Sequence, residues 1–350
     1  MTQLTHGGDW AGYRAQYGHD ALDFSANVSP LGLPQGVANA IAAALPHADR
    51  YPDPLCRALR AKLAPHEGIP AESILCGNGA ADLIFRLAWA AKPRTALVTA
   101  PTFAEYAAAL ESAGCAVRQH FLQAEVDFAV TDSILSSITP EVDMVFLCQP
   151  NNPTGQLTPL PLVERILRRC EACGALLVVD ECFLDFLPDC DALTAKALLD
   201  SKNLLILKAF TKLYGMAGVR LGYCLCATTA LLEAMQAAGQ PWAVSSLAQA
   251  AGLAALDETA YVAQVRALIA QQRPRLTAGL RALGLRVLDG RANYLLFQGP
   301  ETLGDALRQR GVGLRSCSNY PGLDGSWYRT AVRTGPENDE LLKTLAEVLA

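Results

Sequence analysis

The sequence predicts an α/β fold, a mainly parallel sheet flanked by helices, with a smaller α+β domain attached. Three observations predict it. Between about residues 72 and 226, short apolar runs alternate with segments of helical period. Those runs are almost continuously apolar, as strands covered on both faces of a parallel sheet must be. Beyond about residue 230 the alternation gives way to long helical stretches, then short strands and a closing helix.

Taken in order, residues 95–99, 143–148, 175–179, 204–207 and 219–224 read as buried strands. Residues 103–113, 159–173 and 194–199 between them have helical spacing. Helices follow at 231–238 and 246–283, the second interrupted or kinked at Pro274, which lacks the amide proton a helix needs. Strands are expected at 285–288, at 294–297, near Leu314 and at 328–332, with a helix at 303–310 among them. The first forty residues are rich in Gly, Pro and Asn and cannot form a core alone. They are expected to run over the second module or onto a neighbouring subunit. The division this implies is a large domain over 40–235 and a smaller one made of 1–39 with 236–350.

Composition narrows the function classes. Of 350 residues 51% are hydrophobic, and 29 basic against 34 acidic side chains leave a net charge of −5. Such a chain is globular, and without a basic run it is a poor binder of nucleic acid or anionic membrane. Residues 1–10 lack a basic start followed by an apolar stretch, and no apolar run approaches a membrane span, so a cytoplasmic location is expected. The eleven cysteines are odd in number, irregularly spaced and mostly set in apolar runs, which reads as free thiols in a reducing compartment. Cys170 and Cys173 form a C-x-x-C, but no second ligand pair follows at zinc spacing, so no metal is expected.

The chemistry lies at strand ends, where α/β sheets present ligand groups. Gln149-Pro150-Asn151-Asn152-Pro153-Thr154-Gly155 follows one strand, Asp180-Glu181 the next and Thr211-Lys212 another, with Arg220 eight residues past that lysine. Singly each is ordinary: turn residues, a helix cap, a surface lysine, an ion-pair partner. Together they match the needs of pyridoxal phosphate: an amine to bond it, an acid for its pyridine nitrogen, a donor for its ring oxygen and an arginine for its phosphate. Of seven lysines, Lys62, Lys196 and Lys343 lie on helical faces, Lys92 precedes a proline and Lys202 sits in a turn. Lys208 and Lys212 remain, and only Lys212 has the adjacent threonine and the downstream arginine. Cys76-Gly77-Asn78-Gly79-Ala80-Ala81-Asp82 opens a helix after a strand, where free amides can hold a phosphate; it is not the Rossmann fingerprint, because Asp82 replaces the third glycine.

Carrying these motifs, essentially the whole chain resembles the fold type I pyridoxal-phosphate enzymes of the aminotransferase class I/II group. The resemblance implies that Lys212 bonds the cofactor, Asp180 pairs with its pyridine nitrogen, Asn152 reaches the ring oxygen, Arg220 meets the phosphate with Gly79, Ala80 and Ala81, Thr211 beside the lysine also binds the cofactor, and Phe103 stacks on the ring. Lys212 and Asp180 are then the catalytic pair, and the cofactor is pyridoxal 5'-phosphate.

Further segments point to one branch of that group: His6-Gly7-Gly8-Asp9, Asp23 to Gly32, Arg50-Tyr51-Pro52-Asp53-Pro54, Gly290 to Leu296 and Leu314 to Leu323. They are similar to a decarboxylase branch whose substrate is L-threonine O-phosphate, with L-serine O-phosphate an alternative. Its nearest cousins are aminotransferases acting on a phosphorylated amino alcohol. In this reading Arg329 anchors the substrate carboxylate, with Arg333 as the alternative, and Arg315 grips the phosphate. His6 and Asn27 line the pocket, His6 reaching across a dimer, while Tyr51 meets the cofactor phosphate of the other subunit. The implied partners are a small phosphorylated amino acid and a second copy of the chain in a homodimer with shared active sites. Two departures stand out: Phe183 where the aminotransferases carry a tyrosine, and Ala209 where relatives often carry a serine.

Overall fold

Among the described residues thirteen strands and the helices between them position the site. A computed structural model describes residues 6–350; Met1–Thr5, which the expected N-terminal segment includes, lie outside the described residues. The strands are β1 (Leu22–Asp23), β2 (Ile74–Gly77), β3 (Thr95–Ala100), β4 (Ala116–Phe121), β5 (Met144–Cys148), β6 (Leu176–Asp180), β7 (Leu204–Ala209) and β8 (Gly222–Cys226). Then come β9 (Arg286–Val287), β10 (Tyr294–Gln298), β11 (Val312–Gly313), β12 (Arg315–Ser316) and β13 (Trp327–Ala331).

The main sheet runs β2-β8-β7-β6-β5-β3-β4. β7, β6, β5, β3 and β4 pair in parallel, whereas β8 is antiparallel to both its neighbours, so the sheet is mixed around a parallel centre. Every residue of β5, β7 and β8 is buried, the signature of a sheet covered on both faces. On one face the helix Leu160–Cys173 inserts Val163, Ile166, Leu167 and Cys170; on the other Ala80–Ala91 inserts Leu83, Ile84 and Leu87.

Several boundaries differ from the pattern reading. β8 begins at Gly222 rather than 219, because Val219 and Arg220 donate back to Met216 in a turn. β4 escapes a hydropathy reading: Arg118, Gln119 and His120 interrupt it, as an exposed edge strand permits. Residues 194–199 hold a short 3-10 turn, Ala195–Leu198, capped by the Thr194 hydroxyl. The long helix breaks not at Pro274 but at 256–258, giving Ser246–Ala255 and Thr259–Ala282. There Asp257 and Thr259 take up turn hydrogen bonds instead of helical ones. Pro274 stays inside the second helix, whose Ile269, Leu276 and Leu280 are buried on the small module and hold it in place.

The small module is a four-stranded antiparallel sheet, β12-β13-β10-β9, with Leu314 between the short β11 and β12. The N-terminal segment lies over this module of its own chain: β1 runs parallel to β11, Phe24 donates to Gly313 O (2.8 Å) and Ala331 donates to Phe24 O (2.9 Å). Phe24 is fully buried with Phe297 and Tyr328. All eleven cysteines are free and ten are buried, with burial pushing the Cys170 thiol up to about 12. Among the described residues no group could hold a metal ion and no helix is long and apolar enough to cross a membrane.

Candidate active site

Parallel pairing aligns the ends of β5, β6 and β7, with Cys148 in register with Asp180 and Asp180 with Leu207. The loops leaving those ends enclose a cavity of about 100 Å³ lined by Phe103, Asn152, Asp180, Thr211, Lys212 and Arg220 beside the helix start at Ala80 and Ala81. It opens into a larger cleft of about 980 Å³ that adds His6, Asn27, Arg315 and Arg329. Twelve of the fourteen expected site residues therefore meet in one connected space, Gly79 and Tyr51 being the two that do not line it.

Lys212 follows β7 on the short helix Phe210–Leu213; its carbonyl accepts from the Ser29 amide (2.9 Å), while its amine makes no hydrogen bond or ion pair with the described residues. Its amine lies 5.5 Å from the centre of the Phe183 ring. Burial, with Arg329 and Arg220 nearby, lowers its pKa from the ordinary lysine value, which favours a neutral nucleophilic amine. Lys208, the other lysine left by elimination, sits within β7 and is bound to Asp185 (2.9 Å) and near Glu67 (3.7 Å), away from this cavity.

Asp180 is 5% exposed, and both its oxygens are fixed: Oδ2 accepts from the Tyr106 hydroxyl (2.6 Å) and Oδ1 from the Cys182 amide (3.0 Å). The two adjacent asparagines divide their work. Asn151 is locked into the turn, its amide donating to Pro101 O and Thr154 and accepting from Thr102. Asn152 turns toward the cavity, where its oxygen accepts from Arg329 Nη1 (2.5 Å), which leaves its amide hydrogens as donors.

Gly79 explains how Arg220 reaches this space. It adopts φ +82°, and a Cβ there would lie 2.7 Å from Arg220 Nη2. Its own amide donates to Gly77 O (2.8 Å), so the phosphate-facing amides expected over 79–81 reduce to those of Ala80 and Ala81, the first two of a helix. Asp82 caps the Asn78 amide (2.8 Å) and pairs with Arg86, which makes it structural.

Arg315 and Arg329 are direct partners across the β12–β13 pair and both are buried. Arg329 Nη2 donates to Ser25 O (2.8 Å), and in the orientation that satisfies both groups the Asn27 amide oxygen accepts from Nε (3.0 Å). Arg315 donates to Ser316 O and to Asn319 (2.7 Å) and lies over Tyr320. Arg333 lines the same cleft but is committed to Glu337 (2.5 Å) and Asp23 O (3.1 Å). His6 binds Glu105 (2.6 Å) beside Phe103 of its own chain. Tyr51 lies outside the cavity, 79% exposed and stacked on Trp242.

Residues 19–346 match the family model described as aminotransferase class I and II. The chain belongs to that family. It is 40% identical to the threonine-phosphate decarboxylase of Salmonella typhimurium, covering 94% of this chain and 91% of that protein. Among solved structures it resembles the histidinol-phosphate aminotransferase of Clostridium acetobutylicum, with a TM-score of 0.87, 27% identity and 93% and 98% of the two chains covered. It also resembles the L-threonine-O-3-phosphate decarboxylase of Porphyromonas gingivalis, with a TM-score of 0.81, 25% identity and coverage of 93% and 99%.

The class I and II cofactor fits the residues present. A half-buried amine with no hydrogen-bond partner among the described residues faces a cavity that also offers a fixed carboxylate, an amide donor and an arginine reached only past a glycine. Three contributors escaped sequence reasoning: Tyr106, which holds Asp180; the Ser25 carbonyl, which holds Arg329; and Tyr294, whose hydroxyl donates to Asn151 O (2.9 Å) and whose ring lies 5.6 Å from the Arg329 guanidinium. Tyr106 had a signal, a second aromatic three residues after Phe103; Phe103 precedes the helix Glu105–Ser112, and the two rings meet edge-on across its start. A backbone carbonyl has none.

Proposed function

We propose that this chain releases carbon dioxide from L-threonine O-phosphate to give (R)-1-aminopropan-2-ol O-phosphate, with pyridoxal 5'-phosphate as cofactor, in the aminopropanol arm of cobalamin synthesis. The observation that carries this reading is the buried cross-strand pair Arg315 and Arg329 beside Lys212, in a chain 40% identical to a threonine-phosphate decarboxylase. Like charges directly opposite in a sheet repel, and a ligand bearing two anions relieves that repulsion. A phosphorylated amino acid has both.

The cofactor, when bound, supplies an electron sink for the pair left on Cα as the carboxylate departs. Lys212 would hold it covalently, Asp180 would keep its pyridine nitrogen protonated, and Asn152 would donate to its ring oxygen. Arg220, Thr211 and the Ala80 and Ala81 amides would receive its phosphate, and Phe103 would cover one face of the ring. Arg329, with at least one N–H beyond those given to Asn27, Asn152 and Ser25, orients the substrate carboxylate. Arg315 takes the substrate phosphate, with His6 and Asn27 along the pocket wall. Lys212 Nζ is the group placed to return a proton to Cα.

The chain is proposed to act in the cytoplasm as a homodimer in which Tyr51 serves the partner's cofactor phosphate; its outward position supports this. A large domain over 40–235 and a smaller one from 1–39 with 236–350 are the working units, the main sheet lying wholly in the first.

The test is carbon dioxide release by cofactor-loaded protein from L-threonine O-phosphate without a keto acid. Release is expected, more slowly with L-serine O-phosphate, since one methyl group provides about 1–3 kcal/mol of discrimination. No release, with amino transfer from histidinol phosphate to 2-oxoglutarate, would assign the chain to the aminotransferase side. Arg315→Gln is expected to raise KM for the phosphorylated substrate while cofactor loading stays intact; equal loss of both contradicts the phosphate role.

A further inference from the structure

We propose that Tyr106 is a positioning residue for Asp180, fixing the carboxylate through its hydroxyl and setting how much negative charge Asp180 presents to the cofactor's pyridine nitrogen. The inference rests on the proposed role of Asp180 and adds a residue to which that reading gave none.

Tyr106 is fully buried on the helix Glu105–Ser112, stacked on Phe146 at 4.7 Å and edge-on to Phe103 at 5.5 Å. The stack fixes the ring, and the fixed ring aims the hydroxyl at Asp180 Oδ2, 2.6 Å away across 74 residues of sequence. The Cys182 amide already holds the other oxygen, so the hydroxyl completes a clamp that prevents rotation of the carboxylate plane. A hydrogen bond to a charged acceptor in a buried setting also draws charge from it. Burial and Asp180 both hold the phenol protonated, so it is a donor at any working pH.

The other titratable groups around Asp180 are Cys148 at the end of β5, Cys182 on its own segment, Lys212 after β7 and Tyr294 on β10. Burial raises both thiols and the Tyr294 phenol, which keeps them neutral. Tyr106 is therefore the group that donates to Asp180 from outside its own segment among the described residues.

The experiment uses cofactor-loaded full-length protein and three forms: Tyr106→Phe, Tyr106 replaced by 3,5-difluorotyrosine, and Asp180→Asn. The readouts are the pH midpoint of the bound chromophore's visible absorbance, its dissociation constant, and kcat and KM. Tyr106→Phe keeps the ring and its stacking. It is expected to load cofactor, to move the absorbance midpoint up by about half a pH unit, and to lower kcat about tenfold with KM little changed. Difluorotyrosine, a stronger donor, should move the midpoint the other way. If Asp180→Asn alters the chromophore and removes turnover while both Tyr106 forms match the parent, the positioning role is wrong and the Asp180 reading stands. If Asp180→Asn leaves chromophore and turnover unchanged, the Asp180 reading fails and this inference with it. A thermal-stability loss in Tyr106→Phe with no change in absorbance midpoint would reduce Tyr106 to packing.

Discussion

Replacing Gly79 with alanine tests whether this one missing side chain makes room for Arg220, the arginine proposed to receive the cofactor phosphate. The substitution acts twice. The residue sits at φ +82°, ψ 165°, a region that is nearly glycine-only, and forcing a side chain into it costs about 1–3 kcal/mol of stability. Its Cβ would also fall 2.7 Å from Arg220 Nη2 and 3.2 Å from Cζ, so the guanidinium must retreat by most of an ångström. Losing a charge-assisted hydrogen bond to a bound phosphate is worth about 1.5–3 kcal/mol, or roughly 10- to 100-fold in cofactor affinity. Absorbance titration of apoprotein with pyridoxal phosphate measures the affinity, and urea unfolding measures the stability. Gly68→Ala is the control: it has φ +73° but no atom within 4 Å of the added carbon. It should lose about 1 kcal/mol of stability and bind cofactor within twofold of the parent. Unchanged affinity in Gly79→Ala, or equal weakening in Gly68→Ala, would refute the reasoning.

Three further outcomes are expected. Burial pushes the Glu67 carboxyl up, but Lys208, Lys196 and the Tyr223 hydroxyl outweigh it and hold the group at about 2. Glu67 thus contributes stability that is whole above its ordinary 4.5 and lost as pH falls toward 2; Glu67→Gln should flatten that acid limb and cost about 3 kcal/mol by urea unfolding at pH 7. Glu181 goes the other way: burial raises it to about 7, so its contribution is whole below 4.5 and is lost as pH rises through 7. Glu181→Gln stays neutral and should gain thermal stability relative to the parent at pH 8, most of that gain vanishing at pH 5. Phe183→Tyr returns the hydroxyl that the aminotransferases carry and should tighten cofactor binding about fivefold by the same titration, the worth of one hydrogen bond.

The α/β class, the strand ends and the set of charged residues around them were legible because each leaves a local mark: an apolar run, a turn motif, a lysine beside a threonine. What stayed hidden depends on partners far apart in sequence. Arg329 and Arg333 look equivalent as letters four apart, but Arg329 meets Asn152 and the Ser25 carbonyl, 177 and 304 residues away, whereas Arg333 is taken up by Glu337 and the Asp23 carbonyl. Asn151 and Asn152 separate in the same way, through Pro101 and Thr102, some fifty residues earlier. The edge strand β4 hid because one of its faces meets water, so hydropathy carries no run to find. The Pro274 break was read too literally: a proline disfavours a helix locally, but here the buried face on both sides holds the helix through it.

The parallel pairing of β1 with β11, and the grip of Ser25 on Arg329, also govern when this pocket can exist during synthesis. Residues 22–27 emerge from the ribosome early, yet their sheet partners and the arginine they hold lie about 290 to 300 residues later. Until that last stretch emerges, Phe24 has no core to enter and the substrate wall has no second half. Contacts of such span form slowly, because a long loop must close before they give any return. The main sheet, whose strands end at Cys226, can pair well before then. The cofactor face can therefore form before the substrate face, so a chain stalled short of residue 312 retains Lys212 and Asp180 without the completed anion-binding wall.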